Sequence, residues 1–235
     1  MLKLAIMQPY LFPYMGYFQL IDTVDHFILY DDVNYMKGKW INRNRIIVNN
    51  RIHRFTVPLS KSSQNKLIRE IQLLEDNTWK ARLLKTIAFA YGRAPEFDKV
   101  FPLIEDIIMN DEQNLSAFIH HSLQALCAFM GIATIISCSS SLQNTCFDDR
   151  GEDRILNICL AEQATGYVNL CNGKDLYNRH RFVSRGIDLQ FLSLQRGHLY
   201  RQFNGPFYAD LSIIDVLMFN DQHNLQQLLA ANILD

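Results

Sequence analysis

No stretch of this 235-residue chain stays apolar for the roughly 20 positions that a bilayer-crossing helix needs. The opening segment carries one charge, Lys3, then a short apolar run broken by Pro9 and Pro13, which is not the layout of a signal peptide. Charge bias is absent too: 23 Lys and Arg against 24 Asp and Glu leave a net charge of -1, so global charge makes no case for nucleic acid or an anionic membrane. The five cysteines (Cys127, Cys138, Cys146, Cys159 and Cys171) are odd in number and form no CxxC pair. That argues against a disulfide framework and a zinc knuckle. The seven histidines give no metal-ligand spacing. His120 and His121 diverge around a helix, and His26, His53, His180, His198 and His223 lack partners at the right separation. There is no G-x-S-x-G, no catalytic-cysteine motif and no internal repeat, and no glycine stands five residues before Gly173 as a P-loop requires. The expectation is a reduced cytoplasmic protein without a metal, formed as a single α/β domain over residues 1–235.

What is present alternates strand with helix. Leu2, Leu4, Ile6 and Met7 form a short apolar run. Residues 8–14, Gln-Pro-Tyr-Leu-Phe-Pro-Tyr, cannot be helical throughout, because prolines lack the donor and restrict their predecessors. Residues 15–24 then show helical spacing, and 27–30 are apolar again. Further along, the pattern predicts a hairpin with strands at 46–48 and 52–57, an edge strand at 68–74, and helices at 78–91, up to 109, and at 114–130, with Gly131 as cap. A strand at 134–137, a polar loop at 139–149, a helix at 150–164, a strand at 167–170, a helix at 176–184 and a strand at 187–192 follow. Two last helices are predicted at 211–218 and 224–233. This is a layered, Rossmann-like α/β core with a mostly parallel sheet, an inserted β-hairpin and a more helical middle segment at 78–130.

In such a sheet ligands sit at the carboxyl ends of the strands, which puts Gln8, Tyr10, Asp31 and Asp32 in view. Prolines stiffen the loop that presents Tyr10 and Tyr14. Gly16 opens the following helix, where free backbone amides attract phosphate or carboxylate. Tyr14-Met15-Gly16-Tyr17 stands where nucleotidylyltransferases carry H-x-G-H, with tyrosines in place of both histidines. Adjacent strand residues point to opposite faces, so one of Asp31 and Asp32 is expected to face the ligand, orienting a hydroxyl or amine or taking a proton. Residues 37–45 are the most basic segment. Arg43 and Arg45 suit a phosphate or carboxylate, Trp40 offers a stacking face, and Asn42 and Asn44 would fix orientation. Asn172-Gly173-Lys174-Asp175 again follows a strand and opens a helix, with Lys174 as a further phosphate contact. Ser212 reads as an N-cap with Asp215 in its first turn.

Taken in order, these segments resemble the WbqC-like family: residues 7–10 through 16–18, Tyr30-Asp31-Asp32-Val33, 40–45, Thr56-Val57-Pro58, Gly173-Lys174-Asp175 and Leu211-Ser212-Ile213-Ile214-Asp215. The resemblance implies bacterial surface-polysaccharide (O-antigen type) gene clusters, and hence a cytoplasmic step on a nucleotide-linked sugar. The leading expectation is a transferase acting on a nucleotide-activated amino sugar by acyl or aminoacyl transfer. The catalytic carboxylate would be Asp31 or Asp32. Binding would fall to Gln8, Tyr10, Tyr14, Gly16, Tyr17, Trp40, Asn42, Arg43, Asn44, Arg45, Asn172, Gly173, Lys174 and Asp175. No cofactor is assigned; a nucleotide or nucleotide-linked sugar would enter as substrate. The expected partner is a small molecule, with no nucleic acid and no membrane span, and a homo-oligomer is left open. The competing readings are an adenylating, nucleotidylyltransferase-like enzyme and a non-catalytic module that binds a nucleotide sugar or a protein.

Overall fold

The fold is described from a computed structural model, which covers residues 2–143, 149–194, 200–203 and 205–235. Part of the 139–149 loop, Cys146 and His198 lie outside the described residues. The first unit forms as its pattern predicts: β1 (Lys3–Met7), α1 (Met15–Asp22) and β2 (His26–Leu29). Then come the hairpin β3 (Arg43–Val48) and β4 (Arg51–Thr56), the two-residue strands β5 (Leu59–Ser60) and β6 (Gln72–Leu73), and three helices, α2 (Thr78–Tyr91), α3 (Phe97–Met109) and α4 (Leu115–Met130). The chain returns to the sheet through β7 (Ile135–Cys138), α5 (Gly151–Ala161), β8 (Gly166–Leu170), α6 (Arg179–Val183) and β9 (Asp188–Leu194). It ends with α7 (Ile213–Phe219), α8 (Gln222–Ala230) and β10 (Asn232–Leu234).

The main sheet has the order β10-β9-β8-β1-β2-β7, parallel except for β10. From β1 the chain moves outward to β2 and β7, then jumps back across β1 to β8 and β9. The winding reverses between β1 and β8, which makes their carboxyl ends the topological switch point. Side chains follow the two-residue alternation. Ala5, Phe27, Leu29, Val168 and Leu170 face one core with α1, α4, α7 and α8; Leu4, Ile6, Ile28, Tyr167 and Leu189 face a second core with α5 and α6. Helices from the outward run and from the return run thus lie on opposite faces. That is what a single crossover hand demands when the direction of winding reverses.

Four local expectations change. The first hairpin strand begins at Arg43 rather than 46, because the buried inward position Asn44 is polar and broke the apolar alternation. Its tight turn places Asn49 and Asn50 at φ 51° and 56°, a left-handed conformation that asparagine tolerates. Residues 68–74 are not one strand. A 3₁₀ turn at Ile68–Glu70 precedes β6, since Ile68 N–H and Arg69 N–H donate to the Val33 and Asp31 carbonyls. The helix expected at 176–184 is shorter, α6 starting only at Arg179, and the loop expected at 172–175 is a 3₁₀ turn, Cys171–Leu176. The last helix stops at Ala230, and residues 232–234 add to the open edge of β9; short apolar runs do not distinguish the two states.

Candidate functional site

The loop after β1 is clamped at the carbonyls of Gln8, Leu11, Phe12 and Pro13. Tyr17 Oη donates to Gln8 O at 2.8 Å, Asn44 Nδ2 to Leu11 O at 2.9 Å and Phe12 O at 2.6 Å, Ser212 Oγ to Phe12 O at 3.0 Å, and Ile213 N–H to Pro13 O at 2.8 Å. Leu11 N–H in turn donates to Trp40 O at 3.3 Å. Phe12 sits at φ 43°, a left-handed conformation that costs a bulky residue about 1–3 kcal/mol and persists only when neighbours over-determine it. These bonds supply that determination. They also join three distant segments: the 8–14 loop, β3 and the turn before α7.

Arg43 and Arg45 stand two apart on β3 and so share a face, opposite Asn44. The Arg45 guanidinium lies 5.0 Å from the centre of the Trp40 ring and donates through Nη2 to Asp210 O at 2.9 Å. Arg43 lies near Tyr35. Among the described residues neither arginine is within ion-pair distance of a carboxylate, and the Nε of each is buried without a hydrogen-bond acceptor. Tyr14, half-buried at the mouth of the loop, has its phenol pushed up to about 12, first by burial and then by the charges of Asp210, Tyr10 and Cys171. Tyr14 is therefore a neutral donor at physiological pH. Its coupling to Cys171 brings the start of the 171–175 segment to the same end of the sheet.

Other expected site residues are placed differently. Tyr17 is fully buried, so its hydroxyl shapes the loop and has no surface toward a ligand. Asn42 and Asn44 are likewise buried and spent on the fold: Asn42 Nδ2 donates to Val57 O and its Oδ1 accepts from Tyr35 Oη. Gly16 is buried at the second position of α1. Gly173 is buried, and a Cβ there would come within 3.2 Å of Asn169 Oδ1, while Asn172 and Asp175 are exposed. Lys174 is half-exposed, 3.2 Å from Asp235 Oδ2 and 5.5 Å from the centre of the Phe191 ring.

Asp31 and Asp32 lie beyond the end of β2, where strand alternation no longer separates them, and both meet Ser139 Oγ, which donates to the nearer Asp32 carboxylate and accepts from Asp31 N–H at 3.1 Å. Asp31, 2 % exposed, also accepts from Ser116 Oγ at 2.9 Å, Ser140 N–H at 3.0 Å and Ser140 Oγ at 2.9 Å. Asp32 is held by Arg154 Nη2 at 2.6 Å, both side chains being almost fully buried. Tyr30 adjoins this pair, its phenol pushed up to about 12 by burial and Asp32, against the opposing Arg154 charge. Among the described residues no hydrogen bond or ion pair joins Asp31 or Asp32 to Arg43 or Arg45. Sequence reasoning missed Arg154, although a charged residue four before Ile158 on an apolar helix stripe is a readable signal. It missed Ser116, Ser139, Ser140 and Asp210 because a lone helical serine, a serine run in a polar stretch and a loop aspartate carry none. Asp215 was read only as a helix-start residue. It is fully buried and accepts from Tyr91 Oη at 2.8 Å, Tyr200 Oη at 2.6 Å and Gln202 Nε2 at 2.8 Å.

Compared with known families, the chain matches the WbqC-like protein family over residues 8–227. The chain belongs to that family. The matched span of this WbqC-like protein includes the clamped loop, the arginine strand and the Asp31–Arg154 region. It is 32% identical over 222 residues to "Uncharacterized protein Rv1507c" of Mycobacterium tuberculosis (strain ATCC 25618 / H37Rv), covering 94% of each chain. No solved structure matches it. Among the described residues no group of three or more His, Cys, Asp or Glu side chains is arranged to hold a metal, and no helix is long and apolar enough to cross a membrane.

Proposed function

We propose that this WbqC-like protein is a cytoplasmic transferase of bacterial surface-polysaccharide assembly that acts on a nucleotide-activated amino sugar, by acyl or aminoacyl transfer to its amine. The observation that carries the reading is the Arg43–Arg45 pair. Two guanidinium groups share one strand face, without carboxylate partners among the described residues, on the strand whose Asn44 clamps the loop leaving β1; Asp210, whose carbonyl accepts from Arg45, also lies close to Tyr14 of that loop. A diphosphate matches them in charge and geometry. The first amides of α1 add donors of the same polarity. Trp40, Tyr10 and Tyr14 supply aromatic walls, and Tyr14 adds a neutral hydroxyl. Lys174 is a third cation for the anion. Its exposed pairing with Asp235 is worth little and is readily exchanged. In this scheme Asp31, saturated by serines, and Asp32, neutralised by Arg154, are positioning carboxylates that hold the segment after β2 beside the sugar.

The adenylating alternative needs both motif positions to reach phosphate, and Tyr17 is buried under the loop with its hydroxyl on Gln8 O. Calorimetric titration with uridine, thymidine and guanosine diphosphate sugars tests the proposal, followed by mass analysis of each bound ligand with acyl donors. Arg43→Ala and Arg45→Ala should each weaken binding about 10- to 150-fold, the worth of a charged hydrogen bond at about 1.5–3 kcal/mol. Failure to bind any nucleotide sugar, or equal binding by both variants, overturns the assignment. A ligand held but never consumed under any donor favours the binding-module reading.

A further inference from the structure

The opposite edge of the sheet carries a constellation unrelated to the arginine strand. His26 is the first residue of β2, and Ser137 is the third of β7, the edge strand, which pairs with β2 alone among the described strands. The register sets Ser137 beside Ile28 and Ile135 beside His26. Ile28 faces the core under α5, so His26, Ile135 and Ser137 share that face. Ser137 Oγ and His26 Nε2 are 2.7 Å apart. On the far side of the ring, His26 Nδ1 lies 3.6 Å from Oε2 of Glu162, which caps the end of α5.

We infer that Ser137, His26 and Glu162 form a second, separate reactive site, in which Ser137 is a nucleophile toward the carbonyl of a small activated acyl ester or thioester. A carboxylate beside Nδ1 keeps the proton there and leaves Nε2 as the acceptor for the serine hydroxyl. Burial lowers the His26 pKa and Glu162 partly opposes it, which favours the neutral imidazole whose Nε2 can accept a proton. The Oγ–H proton passes to Nε2 as the Oγ–carbon bond forms. The donor's alkoxide or thiolate then departs with that proton, leaving acyl-Ser137, and water repeats the exchange with Ser137 Oγ as leaving group.

Two features of the edge suit this chemistry. Ile135 N–H donates inward to Asp25 O, so strand alternation turns the Cys138 N–H, next after the nucleophile, toward the open edge where a developing oxyanion would lie. His120 Nε2 reaches Ile136 O at 3.0 Å, which shows that the intervening groups do face outward. Ile135 is 67 % exposed two residues from Ser137 and offers an apolar contact for the acyl group.

The test is covalent labelling with an alkyl fluorophosphonate, in which Oγ–phosphorus bond formation expels fluoride, read by intact-mass and peptide mass spectrometry on the full chain. The expected result is one adduct at Ser137, absent in Ser137→Ala and formed at least about 100-fold more slowly in His26→Gln, the usual worth of a general base. Should His26→Gln melt early, the part-exposed Glu162→Gln carries the same test: slower labelling supports the site and an unchanged rate refutes it. Absence of an adduct at Ser137, or one formed as fast without His26, overturns the inference. Nucleotide-sugar binding at Arg43 and Arg45 is measured separately, so either reading can fail alone.

Discussion

Asn44 is the side chain on which the proposed anion site most depends, and replacing it separates clamping from direct contact. Its amide Nδ2 reaches two loop carbonyls, and its Oδ1 accepts from Arg45 N–H at 2.8 Å. In Asn44→Ala, Phe12 O keeps the Ser212 hydroxyl, but Leu11 O loses its side-chain donor in a buried position. An orphaned buried carbonyl costs about 1–3 kcal/mol. The left-handed Phe12 also loses part of what holds it. A total near 2 kcal/mol corresponds to a fall of about 4–8 °C in Tm for a chain of this size. Asn44→Asp should be worse than alanine, because carboxylate oxygens would face two carbonyls at the distances now spanned by N–H donors. Thermal melts by circular dichroism measure the fall, and nucleotide-sugar titration should show weakened binding in both variants although Asn44 itself is buried. A fall under about 1 °C in Asn44→Ala, or an Asp variant as stable as the parent, would refute the claim that this amide holds the loop.

Other expectations follow from the same geometry. Arg154→Met should destabilise by about 3–5 kcal/mol, since it removes the cation from the buried Asp32 carboxylate, and Asp32→Asn in the same background should recover much of the loss; urea unfolding of the four-member cycle checks the coupling. Gly173→Ala should cost about 1–2 kcal/mol by pressing on Asn169, whose Nδ2 holds the Tyr167 and Tyr177 hydroxyls, and a variant as stable as the parent would contradict the close approach. Burial raises the Asp215 pKa above the ordinary carboxylate value, against the three donors that lower it. The folded state then binds that proton more tightly than the unfolded chain. This component of stability is present in full below the unfolded value and is lost as pH rises through the raised folded value, so melts across that window should slope downward in the parent and lack that slope in Asp215→Asn.

Periodicity and punctuation in the sequence determined the strand–helix alternation, the helices at 78–91 and 114–130, the Gly131 cap and the carboxyl-end loop at 8–14. These are local properties, set by which residues recur at 3.6 or 2 positions and where proline and glycine interrupt. The winding reversal between β1 and β8 is not local, nor is the tie of residues 11–13 to Asn44 and Ser212, nor the meeting of Asp32 with Arg154. Each joins residues far apart in the chain, whose partnership is decided by how layers stack and which buried polar groups must be satisfied. Asn44 is the clearest case: as a letter it interrupts a strand pattern, and only the fold reveals the two carbonyls it was needed to reach.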